Sequence, residues 1–173
     1  MKEKLHRTFT NGTVYLLHTD DGYPLEVTDT FLPFYTKDAV GRKQNCLDDY
    51  QLGDRSERWM VGVRTMSGCP VRCKFCATAK LKKWRNLTAE EIVAQVKFVV
   101  AKNPDFDPAK AKEFKINYTR MGEPFLNIDN VRKAIEMITS IWPNTHHYIS
   151  TIGIDPAALA RIIEVRAWNA GYG

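Results

Sequence analysis

From Arg58 onward the chain alternates short β-branched stretches with longer amphipathic ones, and this order restricts the fold more than any other feature. "RWMVGVRTM" reads as a strand, and "LTAEEIVAQVKFVVAKN" as a helix. Thr88 is placed to cap that helix and Glu91 to complete a capping box, with Ile92, Val93, Val96, Val99 and Val100 as its apolar stripe. "EFKINYTR" repeats the strand pattern, and "NIDNVRKAIEMITSIW" the helical one, stopped by Pro143. "HHYISTIG" gives a third strand, and "DPAALARIIEVRAW" a third helix with Asp155 as cap and Pro156 in its first turn. Strand–helix alternation repeated three times predicts an α/β fold with parallel strands and crossover helices.

The first 56 residues read differently. "TVYLLHTDDGYPLEVTD" holds two apolar stretches around Asp20-Asp21-Gly22, which predicts a hairpin. "TKDAVGRKQNCLDDYQLGDRSER" is polar and irregular, as a connection would be. Residues 1–56 are therefore expected to form a small N-terminal β extension and residues 57–173 the α/β unit. Hydrophobic residues make up 44% of the chain, enough for a core, and no apolar run approaches a membrane span. "MKEKLHRTFTNG" lacks the apolar centre of a secretion signal, so the expected location is the cytoplasm.

In such folds ligands gather at the C-terminal ends of the parallel strands. The first of these ends runs into "GCPVRCKFCATAKLKKWRNLT", with Cys69, Cys73 and Cys76 spaced C-x3-C-x2-C. In a reducing compartment, clustered thiols read as metal or redox ligands. Three thiolates can hold three irons of a cubane cluster and leave the fourth iron open to a substrate or cofactor. The competing reading is a zinc site completed by Cys46, His18, His146 or His147. Phe75 places an aromatic wall beside the last cysteine, and Cys46 reads as an ordinary free thiol. The second strand end carries Met121-Gly122-Glu123-Pro124, where Gly122 permits close backbone approach and Glu123 offers a carboxylate to an ammonium group. The plainer role for that loop is to cap the next helix at Asn127. The third end places Ser150, a possible hydrogen-bond donor.

The net charge of +5 is concentrated here: Arg72, Lys74, Lys80, Lys82, Lys83 and Arg85 crowd the cysteine segment, and no acidic residue lies between Cys69 and Ala89. That pattern suits either a solvated loop or a site receiving a phosphate-rich substrate.

Together these segments resemble the radical S-adenosylmethionine (radical-SAM) superfamily. Within it, "GCPVRCKFCATA", "RNLTAEEIVAQV", "MGEPFLNIDNV" and "ISTIGIDPAAL" are similar to the dual-specificity adenine methyltransferases of ribosomal and transfer RNA. The resemblance implies a partial (β/α) barrel of about three βα units. It implies a [4Fe–4S] cluster on Cys69, Cys73 and Cys76, whose open iron is chelated by S-adenosylmethionine. Gly122, Glu123 and Ser150 would contact that cofactor, with Phe75 lining the site. Reductive cleavage, fed by an electron donor, would yield a 5′-deoxyadenosyl radical. RNA is the implied substrate class.

The sequence departs from that branch in ways that matter. The family uses two further cysteines to carry and release the methyl group, one near its C-terminus and one seven residues before the first cluster cysteine, where Gly62 stands. Methyl transfer through that position is therefore not expected. Residues 1–56 have no clear likeness to the family's N-terminal RNA-binding domain, and three βα units are about half of its barrel. A half-barrel is expected to leave a strand edge open and to associate with a partner chain or a second copy. Two other readings remain beside the enzyme: a non-catalytic cluster- or RNA-binding relative, and a zinc-stabilised nucleic-acid module.

Overall fold

The structure is a computed structural model that describes residues 1–31 and 53–163. Three strands come first: β1 (Lys2–Phe9), β2 (Gly12–His18) and β3 (Pro24–Phe31). Next come β4 (Arg58–Val63) and the two-residue strands β5 (Met66–Ser67) and β6 (Arg85–Asn86). They are followed by α1 (Ala89–Lys102), β7 (Glu113–Tyr118), α2 (Ile128–Ile141), β8 (Thr145–Ile149) and α3 (Pro156–Ile163).

One six-stranded sheet runs in the order β1-β2-β3-β4-β7-β8. Its β4, β7 and β8 are parallel, as the alternation predicts, whereas β1 to β4 form an antiparallel run. Successive side chains of a strand face opposite ways, so each strand sorts its residues between two sheet faces. Trp59, Val61 and Val63 of β4 and Phe114, Ile116 and Tyr118 of β7 are buried on one face. They share a core with Ile92, Val96 and Val99 of α1 and Val131, Ile135 and Ile138 of α2. The opposite face is polar. There Glu113 bonds Arg58 at 2.7 Å and Lys115 at 2.5 Å, and the Lys115 ammonium lies 5.0 Å from the Tyr148 ring centre.

The predicted capping box is present: Glu91 N–H donates to Thr88 Oγ1 at 3.2 Å, and Thr88 N–H to Glu91 Oε2 at 2.9 Å. Helix α2 ends just before Pro143, as expected. The hairpin around Asp20–Gly22 is the β2–β3 turn. Strand β1 was not expected, because "KEKLHRTF" is charged and largely exposed. It is a strand because β2 offers it a ladder. The irregular stretch around Cys46, and the chain beyond Ile163, lie outside the described residues.

The N-terminal strands extend the sheet itself, with Thr28 opposite Gly62 and Phe31 opposite Trp59. Asp29 of β3 is fully buried and joins the two parts. It accepts from Arg55 at 3.1 and 2.7 Å and from Trp59 Nε1 and Asn103 Nδ2 at 2.9 Å each. A buried carboxylate left unpaired would be strongly destabilising, so these four bonds lock β3 to β4 and to the end of α1. One edge of the parallel unit is thus covered by the chain's own β3. Among the described residues the outer edge of β8 has no strand partner.

Candidate functional site

All three candidate segments lie at the C-terminal ends of β4, β7 and β8. After β4 the chain forms a loop closed at its neck. Strands β5 and β6 pair there, with Met66 opposite Asn86 and Ser67 opposite Arg85. Asn127 tightens the neck. Its side-chain amide is buried and donates to Thr65 O at 2.7 Å and Leu87 O at 2.8 Å. Gln95 secures the strand end, accepting from Arg64 N–H at 2.8 Å and donating to Arg64 O at 3.0 Å.

Within this loop Cys69, Cys73 and Cys76 are free and half-buried. Cys76 N–H donates to Cys73 O at 3.0 Å, so these two stand one tight turn apart. Cys76 also begins the 3-10 turn Ala77–Lys80. Hydrogen bonds from Thr78 hold its thiol below the usual range, favouring thiolate, and Arg64 adds to this. Arg64 is buried, and burial lowers its guanidinium to about 10; the pair with Glu26 Oε1 at 2.8 Å opposes that shift. Phe75 points outward, 90% exposed. Among the described residues no three His, Cys, Asp or Glu side chains stand close enough to hold a metal ion, so the loop as it stands does not gather its thiols. The donor set itself, three free sulfurs on one loop with a shifted thiol among them, suits iron–sulfur ligation.

The histidines that could complete a zinc site sit elsewhere. His147 lies between Tyr118 and Thr139, bonded to both hydroxyls at 3.0 Å. His146 is exposed on β8, and His18 ends β2 opposite Pro24.

The loop after β7 tucks beneath this neck. Gly122 has φ +91°, and a Cβ there would stand 2.5 Å from Met66 Cβ, so glycine is required for the approach. Glu123 is buried, 4% exposed, with both oxygens in use. Oε1 accepts from Phe125 N–H at 3.0 Å and Thr151 Oγ1 at 2.5 Å, and Oε2 accepts from Ile152 N–H at 3.1 Å. The carboxylate therefore caps the turn Pro124–Asn127 and ties the loop after β7 to the loop after β8. Asn127 makes no capping bond with its side chain, which serves the neck instead. Ser150 continues the ladder, its N–H donating to Tyr118 O at 3.4 Å, and is exposed. Gln95 and Arg64 do not stand out from the sequence, Asn127 reads there only as the cap of the next helix, and Thr151 only as a neighbour of Ser150. Their roles depend on partners far along the chain, although the Thr151 hydroxyl sits beside the candidate Ser150.

Gly62 lies on the polar face of β4. A Cβ added there would collide with the Thr28 hydroxyl and stand 3.2 Å from Arg120 Nε. The Thr28 oxygen is buried and has no hydrogen-bond partner among the described residues. Residue 62 thus has no thiol, and any side chain there would require Thr28 to shift.

A parallel α/β unit with a three-cysteine loop at the end of its first parallel strand matches the description "Radical SAM superfamily" over residues 63–169, and the chain belongs to that superfamily. It is 36% identical over 152 residues to the probable dual-specificity RNA methyltransferase RlmN of Koribacter versatilis (strain Ellin345), covering 86% of this chain and 41% of that protein. It is also 36% identical over 128 residues to the dual-specificity RNA methyltransferase RlmN of Sulfurimonas denitrificans (strain ATCC 33889 / DSM 1251), covering 73% of this chain and 32% of that protein. A solved radical SAM methyltransferase from Sphaerobacter thermophilus superposes with a TM-score of 0.67 at 26% identity, covering 92% of this chain and 42% of that one. The chain spans less than half the length of these relatives. No helix among the described residues is long and apolar enough to cross a membrane.

Proposed function

We propose that this chain binds a [4Fe–4S] cluster through Cys69, Cys73 and Cys76, together with S-adenosylmethionine, as part of a radical enzyme acting on RNA. The observation that carries this reading is the neck-closed loop with three free thiols at the end of the first parallel strand, in a chain of this superfamily. When bound, the cluster supplies an iron without a protein ligand and a single electron; an external donor must provide that electron.

The chain's own residues have separable tasks. The three thiolates hold the cluster, and the Thr78 bonds that lower the Cys76 thiol ease its deprotonation. Gly122 keeps the loop after β7 close to Met66. Glu123 offers its carboxylate to the cofactor's ammonium group, held in place by Thr151 and Ile152. Ser150 presents a hydroxyl at the end of β8, and Phe75 an aromatic face beside Cys76. Residues 57–173 would form the cluster-bearing unit, and strands β1 to β3 of the N-terminal extension (residues 1–56) widen its sheet. The outer edge of β8, which has no strand partner among the described residues, would take a further strand. Free clustered thiols and an RNA substrate both fit the cytoplasm. Methyl carriage through residue 62 is not part of this proposal, since Gly62 has no thiol.

Anaerobic reconstitution with iron and sulfide tests the assignment. Both should bind in equal amounts matching one cubane, and Cys73→Ala should lose most of each. Zinc retained without sulfide, or undiminished iron and sulfide in Cys73→Ala, would contradict it.

A further inference from the structure

The β2–β3 turn and the far side of the cysteine loop enclose a groove of about 410 Å³. Asp21, Gly22, Tyr23 and Pro24 form one wall, and Leu81, Lys82 and Lys83 the other. Its volume falls within the roughly 300–1,000 Å³ of small-molecule sites. The walls are fixed to one another. Ser67 Oγ donates to Pro24 O at 2.8 Å, and Arg85 Nη2 to Asp21 Oδ1 at 2.8 Å. The Arg85 guanidinium carbon also lies 5.0 Å from the Tyr23 ring centre.

Charge in and around the groove is unbalanced. Among the described residues Asp21 is the one carboxylate of the lining, and Arg85 and Thr19 already engage it. Its neighbour Asp20 pairs with the Met1 amino group at 3.1 Å. Lys82 and Lys83 are exposed and have no ion-pair partner among the described residues. The same holds for Arg72, Lys74 and Lys80 on the same loop. Elsewhere Lys102, Lys112, Lys115 and Lys133 are each paired with a glutamate, whereas the scattered Lys2, Lys4 and Lys97 have no ion-pair partner among the described residues. Cations left without partners in one continuous stretch are suited to phosphates. Trp84 follows Lys83 directly and is 47% exposed, an aromatic face against which a base can stack.

We infer that this groove, with the exposed Trp84 just outside its lining, is a binding site for single-stranded nucleic acid, with Lys82 and Lys83 on backbone phosphates and Trp84 stacking a base. The site deepens the proposed function, since it rests on RNA as the substrate class. It gives the N-terminal hairpin turn a task, as the wall that guides the strand along the cysteine loop.

Fluorescence anisotropy with a labelled oligouridine of about twelve nucleotides, within the roughly 4–16-nucleotide footprints of single-strand sites, tests this. Affinity of the reconstituted protein is measured across a series of salt concentrations. Lys82→Ala with Lys83→Ala should weaken binding and flatten the log–log salt slope by about 1.4, at about 0.7 for each phosphate no longer neutralised. Trp84→Ala should weaken it roughly five- to a hundredfold. Lys97→Ala with Lys110→Ala, exposed lysines away from the groove, should change neither quantity. Equal losses in the two double variants would overturn the site. So would a polyglutamate peptide that binds through Lys82 and Lys83 while oligouridine does not bind. Iron and sulfide are measured in every preparation. A loaded cluster with lysine-independent RNA binding defeats only the groove. Lysine-dependent binding without a cluster defeats only the cluster.

Discussion

Thr151 donates its hydroxyl proton to Glu123 Oε1 at 2.5 Å, so a residue on the loop after β8 holds the carboxylate on the loop after β7. Hydrogen bonds to a buried charge are among the stronger ones, worth roughly 1.5–3 kcal/mol. Thr151→Val keeps the shape and removes the donor. It should lower unfolding stability in urea by about 1.5–3 kcal/mol and weaken S-adenosylmethionine binding without loss of iron. Thr151→Ser should restore both. An unchanged urea midpoint in the valine variant would remove Thr151 from this role.

Glu123→Gln separates capping from charge. The amide oxygen can still accept from Phe125 N–H, but the carboxylate is gone. Cofactor affinity should fall about tenfold or more while cluster content stays at the wild-type level. Full cofactor affinity in this variant would exclude an ammonium contact at Glu123.

Gly62→Ala should be destabilising because its methyl group meets the Thr28 hydroxyl. Overpacking of this kind costs about 1–3 kcal/mol. Thr28→Ala removes the obstructing oxygen, which is itself buried and unpartnered among the described residues. The double variant should therefore be more stable than the sum of the two single effects, as a double-mutant cycle by thermal unfolding would reveal. Additive effects would mean that Thr28 is not the obstacle.

His147 gives the fold a pH dependence. Burial, with a smaller contribution from the neighbouring His146, lowers its pKa from 6.5 to about 4. A depressed folded-state pKa means that the unfolded chain binds the proton more readily. The stabilisation is therefore full above about pH 6.5 and is lost progressively down to about pH 4. It amounts to something on the order of 3 kcal/mol. His147→Gln should flatten the stability profile across that window. A wild-type profile with no slope there would contradict a neutral, buried His147.

What the sequence revealed and concealed follows the range of each interaction. Helix α1 was readable because its cap, Thr88, and its partner, Glu91, are three residues apart. The cysteines were readable from spacing alone. Strand β1 was not, because nothing in "KEKLHRTF" compels a strand until β2 lies beside it. Glu123 could be picked out as a residue, but Thr151 and Ile152, its partners across two loops, could not. The Asp29 hub that merges the N-terminal strands with the parallel unit joins residues as far apart as Asp29 and Asn103. No local pattern announces such a pairing. Gly62 was legible as a missing thiol, whereas the crowding around it depends on β3.

The most direct test of the central claim is the electron paramagnetic resonance spectrum of the anaerobically reconstituted, reduced protein, with and without S-adenosylmethionine. A reduced cubane signal that changes when S-adenosylmethionine is added is expected, because three cysteines leave one iron open to it. A cubane signal indifferent to S-adenosylmethionine, or no cluster signal at all, would contradict the assignment of Cys69, Cys73 and Cys76 to a cofactor-binding cluster.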